Sequence, residues 1–120
     1  MWMKNLAFAV AVSATLLPIL AKAEILPEKD AVAVTELVQQ SLKVEDLDVG
    51  MVAEGNFAIA YWKAVGGHPA GEALAKKTSG SWVIVRQTAG TLKDVPTLEK
   101  LGVPASKAKA LVADLVRAGR

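Results

Sequence analysis

The 120-residue chain has no cysteine and only one histidine, His68. The first absence excludes disulfides, thiolate nucleophiles, thiol redox chemistry and every cysteine-based metal site. The second leaves one imidazole where a closed zinc site takes four protein ligands and a catalytic one takes three plus water. Aromatic residues are few, at 5 % of the chain. No catalytic signature stands out: His68 lies in no motif with a serine that it would activate. The sequence therefore reads as that of a non-enzyme.

An excess of one sign of charge is missing as well, once the N-terminus is read. Lys4 precedes an apolar run from Leu6 to Leu20, and Ala21-Lys22-Ala23 is the small-x-small pattern of signal-peptidase cleavage. The run is short for a bilayer span, which needs roughly 20 apolar residues. The expectation is a signal peptide over 1–23, cleaved after Ala23, and a periplasmic or secreted single domain over 24–120 with no stable membrane insertion. Of the 14 Lys and Arg, Lys4 and Lys22 fall before the cut, leaving 12 against 12 Asp and Glu. That balance offers no basic patch for nucleic acid and no acidic tail. A chain of this size buries one modest core without disulfide support.

The rest of the chain is well patterned. Pro27 suits a helix start, and Ala31, Val34, Val38 and Leu42 recur at helical spacing. From Leu47 the period becomes two. Leu47, Val49, Met51 and Ala53 form one face of a strand, and Gly55-Asn56 makes a turn. In FAIAYWK, Phe57, Ile59 and Tyr61 share one face, with Ala58, Ala60 and Trp62 on the other. Glu72 to Lys77 predict a third strand, Thr78-Ser79-Gly80-Ser81 a hairpin turn, and WVIVRQ a fourth strand. A short helix over 96–101 stops at Gly102, and Pro104 opens a last helix. Its stripe is Ala108, Leu111, Val112, Leu115 and Val116, while Lys107, Lys109, Asp114 and Arg117 are expected to stay wet. The fold class is α+β: an N-terminal helix, a four-stranded antiparallel meander covered on one face, and C-terminal helices, as in a cystatin-like roll.

Candidate chemistry is sparse. VGGHPAGEA, residues 65–73, places His68 in a glycine-rich connection able to present an imidazole to copper, zinc or nickel. Met51 is the one methionine after the cleavage point, and a thioether suits copper(I). Its place in the Leu47–Ala53 alternation also fits an ordinary core residue. Gly66, Gly67 and Gly71 do not make a phosphate loop: Glu72 follows where a Lys-Ser or Lys-Thr pair is required, and a strand replaces the helix. Tyr61, Trp62 and Trp82 suit sheet cover or a ligand face, and Trp62 and Trp82 would stack at one end of the sheet. Lys76-Lys77 reads as a solvated hairpin tip. Glu45, Asp46 and Asp48 cluster without the spacing of a calcium loop.

Taken in order, GNFAIAYWKA, GEALAKKTSGSWVIVRQTAGTL and LEKLGVPASKAKALVADL make the chain resemble a family of small exported bacterial proteins. These are described as copper uptake system-associated proteins. The resemblance spans nearly all of the chain after the signal. It implies a non-catalytic role in copper uptake or homeostasis, with an envelope partner such as a copper transporter or receptor. Members often carry a cysteine after the Trp-Val strand; here Arg86-Gln87-Thr88-Ala89-Gly90 has none, which argues against tight copper(I) binding by this chain alone, and the resemblance supplies no ligand set. The other reading is a small exported interaction or inhibitor-type module without a metal.

Overall fold

The computed structural model describes residues 26–120, so the expected signal peptide lies outside the described residues. Seven elements follow one another: α1 (Glu28–Leu42), β1 (Gly50–Glu54), β2 (Phe57–Trp62), β3 (Gly71–Thr78), β4 (Ser81–Thr88), α2 (Val95–Lys100) and α3 (Ala105–Arg117). The strands form one antiparallel sheet in the order β1-β2-β3-β4, the meander that hairpin-linked strands produce. No helix among the described residues is long and apolar enough to cross a membrane.

Both faces of the sheet are covered, where the sequence reading expected one. Val34 and Val38 of α1 pack on Ala53, Ala58, Ala60, Ala73 and Ala75, with Trp62 and Trp82 completing that layer. On the opposite face Val52, Phe57, Ile59 and Leu74 meet Leu98 of α2 and Ala108, Leu111 and Leu115 of α3. The reason is visible in β2, where Phe57 to Ala60 and Trp62 are all buried. A strand apolar on both faces needs cover on both. The alanine floor adds little bulk beneath α1, and the two indoles supply it.

Those indoles do not stack. Trp62 pairs with Gly71 across β2–β3, whereas Trp82 pairs with Lys77 across β3–β4. Gly71 and Lys77 are six residue steps apart along β3, about 20 Å at 3.3 Å per residue. A single bulge between Leu74 and Ala75 lets Ile84 pair with Ala75 and Arg86 with Leu74. Val85 is the extra residue, and it packs on the α3 side.

The helices are pinned by polar contacts at their ends. Asp30 accepts from Trp82 Nε1 at 3.0 Å and from Lys77 Nζ at 3.3 Å, and Ser41 Oγ donates to Gln87 Oε1 at 2.8 Å. Lys77 is thus ion-paired, and Lys76 lies over the Phe57 ring at 5.8 Å; the expected solvated pair is engaged on both sides of the sheet. The Trp82 hydrogen bond first, and then the Lys77 ammonium, hold the Asp30 carboxyl below its ordinary range. A lowered folded-state pKa stabilises the domain above the ordinary carboxylate range and loses that contribution as pH falls through the folded value. Acid unfolding followed by circular dichroism should therefore show a shallower loss between pH 5 and 3 in Asp30→Asn than in wild type, roughly the window in which an aspartate titrates.

Asp94 caps α2, its Oδ2 accepting from Thr97 N at 3.0 Å, and Gly102 closes that helix at φ 100°. The end of α1 is less well matched to its sequence. Lys43 adopts the left-handed conformation, φ 59°, with its N–H on Gln39 O. An L residue there is strained by roughly 1–2 kcal/mol, partly offset by the entropy that glycine loses on folding. Lys43→Gly should raise stability by about 0.5–1 kcal/mol in urea titration, with an unchanged m-value.

Candidate functional site

The glycine-rich connection between β2 and β3 is a miniature hairpin. Val65 and His68 bridge each other, Val65 N donating to His68 O at 2.9 Å and His68 N to Val65 O at 2.7 Å. Gly66 and Gly67 occupy the two central positions with φ of 51° and 86°. Two consecutive positive φ values are the type I′ pattern, which only glycine, asparagine or aspartate adopts readily. A Cβ at either glycine would meet nothing within 4 Å, so the requirement is conformational and not steric. His68 is half-buried on this turn. The next residue ties the turn to the body: Pro69 O accepts from Trp62 Nε1 at 3.2 Å.

Met51 occupies a different environment. It is half-buried and packs against the α1-side core, on the face shared by Val49 and Ala53. The fold thus places one candidate on a surface turn and the other in the packed layer. Glu45, Asp46 and Asp48 are all exposed. Among the described residues, no group of three or more His, Asp or Glu side chains comes together in a metal-holding arrangement.

The same end of the sheet contains an open cavity of about 560 Å³. Asp46, Asp48, Tyr61, Lys63 and Arg120 supply its polar groups, and Leu47, Val49, Trp62 and Val65 its apolar surface. Behind it lies a buried polar cluster that the sequence reading did not single out. Glu72, on β3, is 2 % exposed and stands opposite Tyr61 on β2. Its Oε1 accepts from Leu92 N at 2.5 Å and from Thr91 Oγ1 at 3.1 Å, and its Oε2 lies 3.8 Å from Arg120 Nε. One carboxylate thereby joins β3, the segment after β4 and Arg120, three residues beyond the end of α3. The available signal was positional: a glutamate inside an otherwise small and apolar strand requires partners when buried.

Asp114 departs from expectation in the same direction. It was assigned to the wet face of α3, yet is 2 % exposed, with Oδ1 paired to Arg117 and Oδ2 buried without a hydrogen-bond partner. It falls one turn from Leu111 and beside Leu115, on the stripe that meets the sheet.

Compared with known proteins, the chain matches no family model, no curated protein and no solved structure.

Proposed function

We propose that this is an exported, non-catalytic accessory protein of copper uptake, in which His68 donates one ligand to a copper ion whose remaining ligands come from an envelope partner. The supporting observation is the type I′ turn, which holds the His68 main chain by two hydrogen bonds while its side chain remains partly accessible. A single imidazole fixed on a surface turn suits a shared or transfer site better than a closed one, because copper affinity increases with ligand number and softness. Met51 offers a thioether but packs against the α1-side core, so His68 carries the reading.

The single histidine makes the test clean. Titrating the protein with Cu(II) while recording its amide and imidazole resonances should broaden His68 and its neighbours in VGGHPAG first, and His68→Ala should abolish that pattern. Broadening centred elsewhere, or unchanged in His68→Ala, removes His68 from the proposal. The second reading, an interaction module without a metal role, is favoured by a separate observation: the open cavity with charged groups of both signs. Capture of a copper receptor or transporter from envelope extract supports the first reading, and capture of a partner unconnected with metals the second.

A further inference from the structure

One wall of the sheet-end cavity is firmly constructed. The Arg120 N–H donates to Leu115 O at 2.8 Å, and its C=O accepts from Lys93 Nζ at 2.5 Å. Its guanidinium lies over the Tyr61 ring, 4.7 Å from the centroid, with Nε 3.8 Å from Oε2 of the buried Glu72 carboxylate. Tyr61 lies tight against its cross-strand partner Gly50, where a Cβ would come within 2.3 Å of Tyr61 Cε1. Arg120 Nε is buried without a hydrogen bond. The other two guanidinium nitrogens have no hydrogen-bond partner among the described residues, and the side chain borders the cavity. A planar cation held by stacking and a buried counter-charge is ready to take a carboxylate through two parallel N–H···O bonds.

The rest of the lining narrows the ligand. Asp46 and Asp48 are exposed on the same cavity, and Lys63 is its second cation. The charged lining residues cancel formally, which disfavours a dianion and favours a ligand carrying both signs. Leu47, Val49 and Val65 give a short hydrocarbon side chain somewhere to lie, and the volume falls within the range of small-molecule sites. We propose that this cavity binds a zwitterionic small molecule of the amino-acid class, its carboxylate on Arg120 and its ammonium toward Asp46 and Asp48. The site uses neither His68 nor Met51, so it stands or falls independently of the copper reading.

The test is a ¹H–¹⁵N titration of the full chain with leucine, N-acetylleucine, leucinamide and inorganic phosphate as separate probes. Leucine should shift the amides of Val49, Gly50, Lys63 and Ala64 to saturation. Leucinamide and N-acetylleucine, each lacking one charge, should bind about 10- to 100-fold more weakly, the loss of a charge-assisted hydrogen bond. Arg120→Gln should remove leucine binding. The paired substitution Asp46→Asn with Asp48→Asn, at two exposed positions, should weaken leucine but leave N-acetylleucine unchanged. Equal affinity for leucine and leucinamide, saturation by phosphate, or no saturable shift with leucine overturns the proposal. Should Arg120→Gln fail to fold, the probe comparison and the aspartate pair still decide.

Discussion

Leu74→Ala is expected to lower the unfolding free energy by about 2–5 kcal/mol, the range for a fully buried leucine truncated in a core that relaxes only partly. Leu74 has no exposed surface and lies centrally on β3, directly opposite Ile59 of β2. The pair forms the middle of the layer under α2 and α3, against Leu98, Leu111 and Leu115. Truncation removes three carbons from that layer, and the backbone-paired strands on either side cannot close over the space. For a domain of this size, total stability is about 5–15 kcal/mol, so the variant loses a large share of it. Each kcal/mol corresponds to about 4–8 °C in Tm for domains of up to 100 residues. Thermal and urea unfolding both read the loss. Val116→Ala is the control: spacing puts Val116 in the apolar stripe of α3, but it is 58 % exposed in the fold, and its truncation should stay within about 0.5 kcal/mol. A Leu74→Ala effect as small as that of the control would mean that the α3-side layer is not the packed core described above.

The elements were legible because each obeys a local rule. The α1 stripe of Val34 and Val38, the alternation of Phe57, Ile59 and Tyr61 against Ala58, Ala60 and Trp62, and the stop at Gly102 all follow from chain geometry that sequence spacing reports directly. Features that depend on registration across strands were not legible. Nothing in WVIVRQ marks Val85 as the extra residue of a bulge, and without the β2–β3 and β3–β4 pairings the placing of Trp62 and Trp82 at opposite ends of β3 has no sequence counterpart. Polar residues failed for another reason. Residue type marks Asp114 and Lys77 as wet, whereas Asp114 falls on the stripe that meets the sheet and pairs with Arg117, and Lys77 pairs with Asp30. The VGGH turn lies between these extremes. Its two glycines identify a tight connection from sequence, but only the Val65–His68 bridge shows that the connection is a rigid hairpin within a longer one.

Glu72 provides the second large effect and the sharpest separation of charge from hydrogen bonding. Glu72→Ala removes the acceptor of the buried Leu92 N–H and of Thr91 Oγ1, and at the same time the counter-charge of Arg120. Breaking a buried ionic cluster from one side is expected to cost about 3–5 kcal/mol, because the partners remain desolvated without compensation. Glu72→Gln keeps a carbonyl oxygen for Leu92 and Thr91 and removes only the charge. It should recover part of that loss, since an unsatisfied buried donor accounts for about 1–3 kcal/mol of it. The two variants should also differ in where they loosen. With Gln in place, hydrogen exchange should stay slow at Leu92 and quicken at Arg120, whose guanidinium then rests on Tyr61 alone. With Ala, both amides should open, because the segment after β4 has lost its only side-chain anchor to β3 among the described contacts. Equal exchange patterns in the two variants would show that charge and acceptor act as one. Fast exchange confined to Leu92 would show that Arg120 is held by stacking and main-chain contacts without help from the carboxylate. The expected split, Leu92 kept and Arg120 released by Gln, makes the buried carboxylate the part that aims the guanidinium at the cavity.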